Sequence, residues 1–229
     1  DRRCLGGGAM PSTENRLPSI NTNNMNPVRI GRYTPSDWYA YESIVEHYGM
    51  RTAKRSGVPL INHIHEGLVV LDFLDADETT AAAYCLHPLI QDDTLMVDHV
   101  QRGMHPNRGS RQLESLVLAL EYRGIANGYL SNRCECEMEG LPLNQTRQST
   151  IRLSPLPQVN QMLIADKVQN RKDFTQYHMD VHPKSKLLQA YFAEWLTVLG
   201  VTEADYQRYC AVINDWKAAV TGEILEHDL

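Results

Sequence analysis

Three stretches of this sequence set histidine or aspartate inside otherwise apolar helical patterns. They are Leu60-Ile61-Asn62-His63-Ile64-His65, Tyr84-Cys85-Leu86-His87-Pro88-Leu89-Ile90 running on to Gln91-Asp92-Asp93, and Met162-Leu163-Ile164-Ala165-Asp166-Lys167-Val168 running on to Gln169-Asn170-Arg171. An ionisable group in apolar surroundings is costly unless it is paired or bound to a metal, so such groups on separate helices are expected to converge. Two imidazoles and a carboxylate can hold Mn²⁺, Fe²⁺, Co²⁺ or Zn²⁺ and leave positions open for water. Water on such an ion is acidified into a nucleophile, and the ion neutralises charge on a phosphoryl oxygen.

Lys54-Arg55-Ser56-Gly57-Val58-Pro59-Leu60-Ile61-Asn62-His63 resembles the opening motif of the HD-domain hydrolases of the RelA/SpoT type, which are metal-dependent phosphohydrolases. That motif has a basic pair, Ser-Gly, Pro, an apolar pair and a metal-binding His. His87 follows 24 positions later, where the family has its His-Asp dyad. Ile164-Ala165-Asp166-Lys167, with Asn170 after it, is similar to the late segment that supplies the last metal-ligand Asp and a nucleotide-contacting Asn. The three segments agree in order and spacing over residues 36–175.

The resemblance implies an all-α HD-type helical bundle hydrolysing a nucleotide, ppGpp-like or a nucleoside phosphate. His63, His87 and Asp166 would be the metal ligands, with Asp92 near the attacking water and Gln91 beside it. Lys54, Arg55, Ser56, Asn170 and Arg171 would face the nucleotide. The ion would be divalent, Mn²⁺ foremost, with Fe²⁺, Co²⁺, Zn²⁺ or Mg²⁺ as the others. One departure matters: the dyad's Asp is Pro88, which has no side-chain ligand, and the acidic pair that follows reads Gln91-Asp92. Asp92, Asp93 or His47 are the candidate substitutes. Without one, the alternative is a degenerate HD fold that binds a nucleotide or a protein without hydrolysis.

The elements that must position these residues are mostly helical. Pro35-Ser36-Asp37 is a helix-start signal, and Trp38, Tyr41, Ile44, Val45 and Tyr48 follow at helical spacing up to Gly49. Ile61, Ile64, Leu68, Leu71 and Leu74 predict a second helix. Asp77 caps a third, Ala-rich one that runs to His87-Pro88, with Asp92-Asp93 as its charged end. Ser110 to Tyr122 predicts a fourth, and helices resume at 159–173, 185–199 and 202–225, the last with Thr202 as N-cap. Residues 127–157, rich in Gly and Pro, hold two short alternating runs, Cys134 to Met138 and Gln148 to Leu153. They predict a β-hairpin or loop insertion. Residues 1–24 carry Gly6-Gly7-Gly8 and no apolar periodicity, as expected of a disordered or tag-like arm before a single domain over 25–229.

Composition narrows the partners. The chain has 229 residues, 42% hydrophobic, with 22 Lys+Arg against 28 Asp+Glu. A net charge of -6 lacks the footprint of a general nucleic-acid binder, so any phosphate site must be a local basic pocket, with Lys54-Arg55 as the candidate. No apolar run approaches the ~20 residues needed to span a bilayer. Five scattered cysteines form no disulfide framework and predict a reducing, cytoplasmic setting. The partner is expected to be a small-molecule nucleotide, with no membrane and with self-association as a homo-oligomer left open. Cys134-x-Cys136 lacks a second ligand pair and reads as ordinary structure rather than zinc. His65 falls on another face from His63, since i,i+2 positions diverge on a helix. His99, His105, His178, His182 and His227 read as surface residues. Trp195 and Trp216 read as packing, and the 11 tyrosines as half-buried polar surface.

Overall fold

The apolar period of 61–74 is realised as helix α2 (Ile61–Phe73), the first of the long helices that carry the three polar stretches. A computed structural model describes residues 29–54, 56–103, 110–138, 151–179, 181 and 184–227. Before α2 come a 3₁₀ turn at Pro35–Asp37 and α1 (Tyr39–Tyr48). After it come α3 (Glu78–Gln91), α4 (Asp93–Gly103), α5 (Ser110–Met138), α6 (Pro157–Tyr177), α7 (Ser185–Val198) and α8 (Glu203–His227). The described residues contain no strand, only isolated bridges at Ile30–Tyr33 and Thr52–Pro59. The fold is all-α.

Helix α3 is the hub. Every residue from Thr80 to Leu89 except Pro88 is buried, so it is apolar on all sides, as a central helix must be. Its start is set by Asp77, whose Oδ1 accepts from the Thr80 amide at 2.7 Å and the Thr80 hydroxyl at 2.8 Å. Around it pack α1, α2, α4, α5 and α6, and α2 packs in turn on α6 and α8. Small residues let these axes approach. At Gly67 of α2, a Cβ would sit 2.1 Å from the Tyr84 hydroxyl of α3, so only glycine admits that ring.

Two expectations are revised. Asp92 ends α3 as its C-cap and also caps a further, unexpected helix: its Oδ1 accepts from the Thr94 and Leu95 amides, both at 2.9 Å, and starts α4. Cys134 to Met138 is helical, the last turns of α5 rather than a strand. Once α5 is nucleated on its buried inner face, each further residue adds a hydrogen bond, which outweighs a five-residue alternation. Of the second run, 148–150 lie outside the described residues and 151–153 form no strand; the 1–24 arm lies wholly outside them. The cap at Thr202 is as expected. It forms a reciprocal box in which Thr202 Oγ1 accepts from the Asp205 amide at 3.2 Å and the Thr202 amide donates to Asp205 Oδ2 at 3.0 Å.

Candidate metal centre

His63 lies in the first turn of α2, His87 near the end of α3 and Asp166 in the middle of α6, and the packing of these three helices brings them together. His63 Nε2 is 3.1 Å from His87 Nε2 and 3.5 Å from Asp166 Oδ1, and His87 Nε2 is 3.8 Å from the same oxygen. A triangle with those sides has its centre about 2.0 Å from each corner, which is the Zn–N and Zn–O bond length. It is the single group of three or more His, Cys, Asp or Glu ligand atoms of this kind among the described residues, and it could hold a metal ion.

The tautomers support that fit. His87 Nδ1 faces the Tyr84 carbonyl at 2.6 Å, and a carbonyl only accepts, so Nδ1 carries the ring proton. His63 Nδ1 likewise faces the Gln169 Oε1 at 2.6 Å. Both Nε2 atoms therefore point lone pairs at each other and at a carboxylate oxygen, with no proton between them. Three such lone pairs repel until a cation sits among them. Anchoring the distal ring nitrogen on a carbonyl is how metal-binding histidines are held.

The surroundings keep the group in its metal-ready protonation state. Burial, then His63, pushes His87 down to about 3, so its ring is neutral. Burial alone would raise the Asp166 carboxyl, but Lys167, His63 and His87 together hold it well below the carboxylate range. Lys167 Nζ donates to Asp166 Oδ2 at 2.6 Å and is itself buried against Tyr191 and Trp195. Asn170 Nδ2 donates to Oδ1 at 2.7 Å. Tyr84 and Tyr122 flank the His87 ring at 4.6 and 4.9 Å between centroids, both fully buried. The buried Tyr122 hydroxyl makes no hydrogen bond of ordinary geometry, and burial, then the nearby Asp166 charge, pushes its phenol up.

The structure treats the remaining expected residues unequally. Asn170 and Ser56 line one cavity of about 240 Å³ with Asp173, Phe174, His178 and Phe192; none of the three donors is on its walls, and its link to them is the Asn170–Asp166 hydrogen bond. Lys54 is exposed on the tight loop between Arg51 and Leu60, which is closed by Ala53–Val58 and Leu60–Arg51 backbone bonds. Arg55 lies outside the described residues. Arg171 turns the other way, paired with Glu203 at 2.8 Å and stacked on Tyr206 at 3.9 Å, so it belongs to the α6–α8 contact. Asp92 is exposed and engaged as a helix cap, and Asp93 pairs with Arg123. Neither they nor His47 joins the donor group. At Gln91 the backbone carbonyl accepts weakly from Asn127 at 3.5 Å. A larger apolar cavity of about 310 Å³, lined by Trp38, Leu86 and Leu116, has none of the three donors on its walls.

Sequence reasoning passed over Gln169, Lys167, Tyr84 and Tyr122. Helical spacing held the signal: Tyr84 precedes His87 by three residues, and Gln169 and Asn170 follow Asp166 by three and four. Fold and site together define an all-α protein with a His₂Asp donor set in which His87 and Asp166 are buried and His63 is half-buried. No protein-family model matches the chain, and no curated protein or solved structure matches it either.

Proposed function

We propose that this chain binds a divalent transition-metal ion at His63, His87 and Asp166 and hydrolyses a phosphate ester or anhydride of a nucleotide. The observation that carries the reading is the convergence of three lone pairs on a point at metal-bond distance from all of them. Two nitrogens and one oxygen suit Mn²⁺, Fe²⁺, Co²⁺ or Zn²⁺ better than Mg²⁺, which prefers oxygen. When bound, the ion would acidify a water and offset phosphoryl charge. The chain's own residues then hold the substrate. Asn170, which also holds Asp166, and Ser56 offer hydrogen bonds in a cavity with an apolar wall of the Phe174 and Phe192 rings, and Lys54 stands exposed on the loop before α2 as a point charge for phosphate. The nucleotide itself rests on the resemblance of the Lys54–His63 and Ile164–Asn170 segments to HD-domain hydrolases.

The test is metal analysis of protein purified without chelator, with release of phosphate or pyrophosphate measured in Mn²⁺ across ppGpp-like, deoxynucleoside triphosphate and cyclic substrates. One ion per chain and turnover that is lost in Asp166→Asn are expected. No bound ion and no turnover would sink the reading.

A second reading, nucleotide binding without hydrolysis, is favoured by one observation: Pro88 offers no ligand and Asp92 is spent on capping α4. It expects nucleotides to raise thermal stability in the absence of metal. It also expects Pro88→Asp to create metal binding that the parent lacks.

A further inference from the structure

In a helix, the amide of residue 88 donates to the carbonyl of residue 84. Proline has no amide hydrogen, and its ring crowds that carbonyl. Pro88 sits inside α3, so the Tyr84 carbonyl is relieved of its helical partner. It is this carbonyl that accepts the His87 Nδ1–H at 2.6 Å. The ring between them is fully enclosed, packed at 4.6 Å on Tyr84 and 4.9 Å on Tyr122, so its orientation follows from that one hydrogen bond and those two walls. With Nδ1 occupied, the Nε2 lone pair is directed at His63 and Asp166.

We infer that Pro88 is a positioning residue: by withholding its amide it reserves the Tyr84 carbonyl for His87 and fixes the tautomer that presents Nε2 to the donor group. The position at which the resemblance expects the dyad's Asp thus acts here through its backbone instead of a carboxylate. Only the metal-affinity consequence rests on the proposed metal-binding reading; the tautomer consequence does not.

Pro88→Ala is the decisive variant, because alanine is the residue best tolerated by a helix and restores one amide. That amide competes for the Tyr84 carbonyl. Nitrogen-15 NMR of the histidine rings, without metal, should show His87 protonated at Nδ1 in the parent and redistributed toward Nε2 in Pro88→Ala. Calorimetric titration with Zn²⁺ or Mn²⁺ should show affinity about 10- to 100-fold weaker in the variant, the usual effect of loosening a ligand's outer hydrogen bond. An unchanged tautomer overturns the inference, whether or not affinity falls, since any loss would then come through the backbone. A changed tautomer with affinity within twofold overturns the positioning role. If the parent itself binds neither ion, the proposed function fails, while the tautomer comparison still decides what Pro88 does.

Discussion

Replacing Gly67 by alanine sets two magnitudes against each other. Gly67 lies within α2, one turn beyond His63, where glycine costs about 1 kcal/mol of helix stability relative to alanine. Propensity alone therefore predicts a gain. The surroundings predict the opposite. The added Cβ would stand 2.1 Å from the Tyr84 hydroxyl oxygen and 2.2 Å from two carbons of its ring, where contact normally begins at about 3.5 Å. The ring would have to retreat by more than about 1 Å, yet it is fully buried and wedged against His63 and His87. Overpacking of this kind costs about 1–3 kcal/mol and can exceed it where nothing yields, so a net loss near 2 kcal/mol is expected. For a chain of this size that is a fall in Tm of about 4–8 °C. Urea denaturation followed by circular dichroism measures it directly. Gly124→Ala is the control, because that helical position is exposed with nothing within 4 Å, and it should gain up to about 1 kcal/mol. Adding Tyr84→Phe to Gly67→Ala should recover little, since the ring carbons remain in the way. A Gly67→Ala protein as stable as the parent would refute the packing argument and the α2–α3 approach that aligns His63 with His87.

Two further outcomes follow from the same geometry. Gln169→Leu removes the acceptor that holds the His63 Nδ1 proton, so Zn²⁺ affinity by calorimetry should fall about 10- to 100-fold, and affinity equal to the parent's would mean that Gln169 does not orient the ring. Acid should destabilise the metal-free protein: burial pushes His65 down to about 4 and His87 to about 3, so the unfolded chain takes up their protons first and stability is lost as pH falls from about 6.5 toward those values. His65 alone accounts for about 2 kcal/mol between pH 7 and pH 5. His65→Gln, which keeps a partner for the Tyr41 hydroxyl, should remove that share of the slope, and a parent whose urea midpoint is flat from pH 7 to pH 5 would contradict the assignment.

Much of the fold was legible because amphipathic spacing and caps are local signals. Ile61, Ile64, Leu68 and Leu71 announce α2, and Asp77 and Thr202 announce α3 and α8. Helix α4 was hidden because Asp92 reads as the end of one helix, and nothing local marks that the same residue also caps the next. The Cys134–Met138 alternation misled because five residues fit both periods, and α5 arrives there already nucleated. Within the site, His63, His87 and Asp166 stood out as ionisable residues among apolar ones. Arg171 looked equivalent to Asn170, but one residue is a turn of about 100° on a helix, enough to carry it from the donors to Glu203 and Tyr206. The tyrosine excess was only read as composition; in three dimensions Tyr84 and Tyr122 wall in His87.

The donor group also depends on a second set of buried charges that the sequence does not mark. Glu66, three residues after His63, is almost fully enclosed; it accepts from Lys172, six residues after Asp166, at 3.1 Å and forms an ion pair with Lys217 of α8. Buried ion pairs contribute little net stability against apolar replacements, but a slipped register that strands one charge is strongly penalised. Helices α2 and α6 are also joined by the His63–Gln169 hydrogen bond and by Gln161 donating to the Leu74 carbonyl at 3.1 Å, and such directional contacts tolerate sliding far less than aliphatic ones do. A displacement of one residue along either helix is about 1.5 Å, several times the roughly 0.2 Å tolerance of a metal–ligand distance. The Glu66–Lys172 pair therefore does for the separation of His63 and Asp166 what the Tyr84 carbonyl does for the orientation of His87. Together with the Gln169 and Gln161 hydrogen bonds it penalises any other register of α2 on α6, and in this register the three donor atoms meet.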